Sequence, residues 1–168
     1  MKMVEIEIRP ARSDEARRLT EIAFAAKGSW GYDERLMRLW ADELTVTPEF
    51  IMTHPVYCAV SKGEVVGFYA LIGEGEEYEL DHIWVEPESM GMGIGRVLFE
   101  HAVGIIAQLG GSTLKIVADP HAEGFYRRMG AVPVGSVPSR PEGRMLPVLR
   151  FAVLPSSESK PNRTMRLT

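Results

Sequence analysis

Leu80-Asp81-His82-Ile83-Trp84-Val85-Glu86-Pro87-Glu88-Ser89-Met90-Gly91-Met92-Gly93-Ile94-Gly95-Arg96 is the stretch that decides the fold. An apolar run ends at Val85, and Pro87 and Ser89 break it. Three glycines at alternate positions follow. Ile94, Val97, Leu98, Ala102, Ile105, Ile106 and Leu109 then recur at helical spacing until Gly110-Gly111. A strand, a glycine turn and a long helix are the skeleton of an anion site. The first amides of a helix lack intrahelical partners, and its dipole favours negative charge there. Glycine removes the Cβ that would hold a phosphate away from the main chain. Gly91, Met92, Gly93, Ile94 and Gly95, with Arg96 as a cation in the first turn, form a candidate diphosphate cradle.

Upstream, residues 56–60, 65–72 and 78–85 read as three strands of an antiparallel meander. Ser61-Lys62-Gly63-Glu64 and the polar stretch 73–77 supply the turns. Earlier still, Val4, Ile6 and Ile8 alternate with Glu5, Glu7 and Arg9, a strand that Pro10 is expected to stop. Ser13 and Asp14 start a helix whose apolar positions are Ala16, Leu19, Ile22, Ala23 and Ala26, ending at Gly28. Asp33 caps a second helix carrying Leu36, Met37, Trp40 and Leu44, and Thr47-Pro48 opens a short third one. Downstream come a strand at 113–118, a helix at 120–129 and strands at 132–137 and 145–153. The main order is β-α-α-β-β-β-α-β-α-β-β. That is an α/β (mixed, α+β-like) sheet of about seven strands flanked by helices. Residues 1–154 read as a single domain. Residues 155–168, rich in Ser, Pro, Asn and charge, read as a disordered tail.

Composition narrows the function classes. The chain has 168 residues, 45% of them hydrophobic, with a formal net charge of −4. An acidic protein gives no case for nucleic acid and repels phosphate at long range, so a phosphate site must be built locally. No apolar run spans a membrane, and the charged N-terminus does not read as a signal peptide. The single cysteine, Cys58, fits a reducing compartment, and the cytoplasm is expected. His54, His82, His101 and His121 lack metal-ligand spacing, so no metal is expected.

Three ligands compete for the glycine turn. A P-loop needs Gly-Lys-Ser/Thr at its end, where Gly95-Arg96 stands instead. A dinucleotide fingerprint needs a glycine at the sixth position and a place after the first strand, and neither condition is met. A bare turn without a ligand remains open from the turn alone.

At this point the chain resembles the GNAT superfamily of acyl-CoA-dependent N-acetyltransferases over about residues 3–153. Its signature, Q/R-x-x-G-x-G/A after the fourth strand, is met by Met90-Gly91-Met92-Gly93-Ile94-Gly95, with Met90 in place of Gln or Arg. Phe125-Tyr126-Arg127-Arg128-Met129-Gly130-Ala131 resembles the family's F-Y-x-x-x-G-F segment. The resemblance implies a GNAT-type splayed sheet with acetyl-CoA in the notch between strands four and five. It also implies that the pantetheine arm lies along Ile83, Trp84 and Val85, with Asp119 where the family often has an Asn that contacts the arm.

The implied reaction is direct transfer of the acetyl group to an amine of a small molecule or peptide. The amine must lose a proton to attack a thioester, because alkyl ammonium groups titrate near ~10.4. Tyr126, by its match to the F-Y motif, is the expected proton donor to the leaving thiolate. Glu79 is the preferred base and Asp81 the second choice, since strand alternation puts both on one face. His82 beside Asp81 is read as structural, because adjacent strand residues point to opposite faces. Cys58, mid-strand, is read as a buried small residue rather than a nucleophile. Trp30 and Tyr32, flanked by glycines between the first two helices, are the expected acceptor-side residues through stacking or cation–π contact. A homodimer through the last strands is a further expectation. A non-catalytic acyl-CoA-binding sensor of the same fold is the alternative.

Overall fold

The computed structural model describes residues 5–156. The expectations at Val4 and for most of the tail lie outside them. Seven strands form one sheet: β1 (Glu7–Pro10), β2 (Val56–Ser61), β3 (Glu64–Glu74), β4 (Glu77–Val85), β5 (Thr113–Val117), β6 (Val132–Pro138) and β7 (Met145–Ala152). Their spatial order is β1-β2-β3-β4-β5-β7-β6, and every neighbouring pair is antiparallel except β4 and β5. The meander turns where the sequence placed it. Lys62 and Gly63 both take positive φ, 51° and 79°, as a two-residue hairpin between twisted strands requires.

Four helices, not three, separate β1 from β2: α1 (Ala16–Gly28), α2 (Glu34–Leu39), α3 (Ala41–Leu44) and α4 (Pro48–Thr53). The predicted second helix breaks at Trp40, which leaves helical geometry (φ −97°, ψ 7°). Its indole is buried, and its Nε1–H donates to the Arg140 carbonyl at 2.9 Å. The expected caps hold: Asp33 accepts from the Leu36 amide and Thr47 from the Phe50 amide. Ser13 and Asp14 form a 3-10 turn ahead of α1 rather than its first turn. The first strand is shorter than its alternation suggests, and Pro10 is its last residue. A proline is tolerated there because β1 is an edge strand paired only with β2.

Two apolar layers sandwich the sheet. Helices α5 (Ile94–Gln108) and α6 (Glu123–Met129) cover one face through Leu98, Phe99, Ala102, Ile106 and Tyr126. Helix α1 and its followers cover the other through Leu19, Ile22, Ala23, Trp40 and Leu44 against Cys58 and Phe68. Helix α6 starts at Glu123 rather than at residue 120. Asp119 takes the His121 amide at 2.8 Å, which holds residues 120–122 in a turn.

Candidate active site

Parallel pairing of β4 with β5 stops after three residue pairs, the last being Glu79 with Lys115. Beyond it β4 runs on to Val85 paired only with β3, so the sheet parts into a notch. The main chain of Leu80 to Val85 on the β5 side has no strand partner. Ile83 and Val85 lean toward the α5 layer, and Trp84 toward the α1 layer.

A bulge in β4 changes which side chains share a face. Ala70 pairs with His82 and Leu71 with Leu80, so Asp81 is the extra residue. Tyr78 and Leu80 point into the α5 layer before the bulge, whereas His82 and Trp84 lie against the α1 layer after it. Simple alternation therefore fails here. The expectation that Glu79 and Asp81 share a face by period two gives way to a kinked strand. The expectation that Asp81 and His82 point apart is overturned: His82 Nε2 lies 3.5 Å from Asp81 Oδ2. Trp84 Nε1–H donates to His82 Nδ1 at 3.0 Å, which leaves the imidazole proton on Nε2, toward Asp81. Burial lowers the His82 pKa, and nearby Asp81 only partly offsets this, so the ring is neutral.

The notch opens on the α1 side into a cleft of about 250 Å³. Glu79, Asp81 and His82 from β4, Lys27 from the end of α1, Trp30 from the α1–α2 loop, Trp40 and Glu43 from α2–α3, and Tyr126 from α6 all line it. The structure thus brings Tyr126 and the two carboxylates to one cavity, although they come from opposite sides of the notch. Tyr126 is buried, and burial raises its pKa far above the ordinary phenol value. It stays protonated at neutral pH.

Trp30 and Tyr32 divide. Trp30 lines the cleft, 5.8 Å from Trp84 and stacked on His121 at 5.3 Å. Tyr32 stands behind it, and its hydroxyl donates to Asp119 Oδ2 at 2.9 Å. Asp119 is the centre of a polar clasp. It also accepts from the His121 amide and from Arg144 Nη2 at 3.1 Å, and Lys27 Nζ lies 3.4 Å away. Burial alone would raise the Asp119 pKa. The His121 amide and ring, the Tyr32 hydroxyl and the Lys27 charge outweigh it and hold the carboxyl below its usual range. Lys27 and Arg144 cover Trp40 at 4.3 and 4.4 Å. Lys27, Trp40 and Glu43, which line the cleft, and His121 and Arg144, which join the clasp, are positions that the sequence reading did not single out for the site. No local motif marks them, because they come from four separate segments.

The glycine turn sits at the other mouth of the notch. Gly91 and Gly93 have φ of 82° and 80°, and a Cβ built on either meets nothing within 4 Å. This left-handed backbone faces open space at the start of a 15-residue helix, where free amides and the helix dipole favour an anion. Gly95 is a packing glycine instead: its Cβ would meet Phe125 at 3.4 Å. Ile94 is buried, so it offers only its amide, and Met92 is exposed. Arg96 lies on the helix surface, with Nε donating to Glu100 at 3.0 Å. The loop is tied down by Glu86, which accepts from Arg18 of α1 and from Ser89.

Residues 53–130 match the family described as acetyltransferase (GNAT) domain. Over 148 residues, 87% of this chain and 97% of the relative, the sequence is 30% identical to the peptidyl-lysine N-acetyltransferase YjaB of Salmonella typhimurium. The chain belongs to the GNAT family. As a GNAT protein it is an acyltransferase that performs acetyl transfer. The solution structure of apo YjaB from Escherichia coli aligns with a TM-score of 0.64 at 26% identity, over 90% of this chain and 99% of that one. The PaiA N-acetyltransferase of Thermoplasma acidophilum, a structure in complex with coenzyme A, shares the fold with a TM-score of 0.71 at 18% identity. It covers 88% of this chain and 99% of that one. The splayed mixed sheet expected from the sequence is therefore the GNAT fold.

Proposed function

We propose that this GNAT protein moves the acetyl group of acetyl-CoA directly to a primary amine of a small molecule or peptide. One observation carries the reading: the β4–β5 ladder ends at Glu79 and Lys115, with a glycine cradle at one mouth of the gap and a carboxylate-lined cleft at the other. The amides of Gly91 to Gly95 would hold the diphosphate, and the unpaired β4 edge at Ile83 to Val85 would hold the pantetheine arm. The PaiA N-acetyltransferase, solved in complex with coenzyme A, supports coenzyme A as the kind of ligand that this fold holds. The two YjaB relatives, from Salmonella typhimurium and Escherichia coli, are named for peptidyl-lysine, which supports a lysine-type amine as one acceptor.

The chemistry follows from the lining residues. An ammonium entering the cleft meets Glu79 and Asp81. Glu79, or Asp81 in its place, takes one proton, directly or through water. The free amine attacks the thioester carbonyl, a C–N bond forms and the C–S bond breaks. Main-chain N–H groups of the unpaired β4 edge face the developing oxyanion. Tyr126 gives its proton to the leaving thiolate and regains one, directly or through water, from the acylated nitrogen as the tetrahedral intermediate collapses, so protons balance across the step. No acyl-enzyme is required, and burial pushes the thiol of Cys58 up to about 12, out of reach as a nucleophile. Trp30, with Tyr32 behind it, walls the acceptor side.

The test has two parts. Calorimetric titration with acetyl-CoA should give saturable binding at one site. Thiol release in the presence of an amine panel should then depend on the amine. Binding without amine-dependent release would leave a coenzyme A sensor, and absence of binding would end the reading altogether.

A further inference from the structure

Lys27 is the only lysine or arginine among the described residues that line the cleft. Its side chain is 12% exposed. The ammonium lies over Trp40 at 4.3 Å and 5.7 Å from the ring centre of Tyr32. Its carboxylate partner is Asp119 Oδ2 at 3.4 Å, longer than the ~2.7–2.9 Å of a charge-assisted hydrogen bond. That same oxygen already accepts from Tyr32 at 2.9 Å and from Arg144 at 3.1 Å. A carboxylate oxygen has two lone pairs, and both are taken.

An ammonium carries three donors. Holding a charge in the wall of the cleft costs desolvation that an apolar side chain of equal length over Trp40 would avoid. The arrangement makes sense if an oxygen atom arrives with the substrate. We infer that Lys27 is the docking point for an oxygen of the acceptor, a carboxylate or a carbonyl carried on the same molecule as the amine. The inference rests on the acetyl-transfer reading for the amine end and concerns the other end. Glu79 and Asp81 line the same cleft and complement the ammonium. A cleft with both signs of charge selects a molecule with both kinds of group.

Matched acceptors test this. For each of several L-amino acids, three forms are compared with acetyl-CoA: the acid, its amide, and the amine that lacks the carboxyl group. In the wild type the acid or the amide should exceed the decarboxylated amine by about tenfold or more in kcat/KM. Lys27→Met keeps an unbranched stem over Trp40 and should bring that ratio to about one. Whichever of acid and amide is faster tells whether the oxygen belongs to a free carboxylate or to a peptide-like carbonyl. Decarboxylated amines that match the acids and amides in the wild type would overturn the inference. So would a Lys27→Met protein that slows all three forms by one common factor, the mark of a merely structural lysine. The same compounds are also titrated calorimetrically against the wild type, a readout that needs no transfer and no variant. Tighter binding of acid or amide supports the docking point even if nothing turns over, an outcome that would instead sink the acetyl-transfer reading. Equal binding removes the role from Lys27.

Discussion

Tyr126 shows how surroundings alter the titration of one side chain. A phenol in water titrates near ~10 and already keeps its proton at neutral pH. Burial between Phe99 and Phe125 raises its pKa and keeps it protonated in the notch. Replacing Tyr126 by Phe should lower kcat by about 100-fold while leaving acetyl-CoA affinity nearly unchanged, as steady-state rates and calorimetry would show. His82 makes a different prediction. An unfolded histidine titrates near ~6.5, and the folded ring, desolvated among Phe50, Phe68 and Trp84, titrates lower despite Asp81. Above that unfolded value the ring is neutral in both states and costs nothing. As pH falls below it, the unfolded chain binds a proton that the native protein refuses, so stability drops. His101 shifts in the same direction through burial. Urea midpoints should therefore fall between pH 7.5 and pH 5.5, and His82→Gln should flatten part of that fall.

Among the elements, the glycine turn and α5 were legible because their signals are local. Gly91 and Gly93 form the glycine turn that their spacing suggested, in left-handed backbone, and Ile94, Leu98, Ala102 and Ile106 of α5 are buried as the period requires. Gly93→Ala would put a Cβ on a residue with φ of 80°. It should cost about 1 kcal/mol in a denaturant melt and weaken acetyl-CoA binding beyond what that loss explains. Strand β4 was legible as a strand but not as a kinked one. A bulge depends on how the neighbouring strand pairs, and no residue in Glu79-Leu80-Asp81-His82 announces it. The split of the second helix at Trp40 has the same cause. The indole finds its partner at Arg140, a hundred positions away.

The whole molecule is held at the notch by contacts between distant segments. The Asp119 clasp gathers the end of α1, the α1–α2 loop, the β5–α6 loop and the β6–β7 loop around one carboxylate. Asp119→Asn keeps the shape and removes the charge from between two cations. It should destabilise the fold by about 1–3 kcal/mol, read as a shifted urea midpoint with unchanged slope. Ligand linkage offers the complementary measurement. Acetyl-CoA at a hundred times its Kd should stabilise the native state by about 2.7 kcal/mol. For a domain of this size that raises Tm by roughly 5–10 °C in a thermal melt.

Sequence by itself determined the order of the strands, the glycine turn ahead of α5, most of the caps and the candidacy of Tyr126 and Glu79. Those depend on backbone freedom, capping chemistry and periodicity, which act between residues a few positions apart. Tertiary structure alone decided that Asp81 meets His82, that Tyr32 stands behind the cleft while Trp30 lines it, and that Lys27 and Arg144 share one carboxylate. The reason is physical. Strand register and charge pairing across the notch are fixed only when segments far apart in the chain pack together, and their energies depend on burial that no single segment can supply.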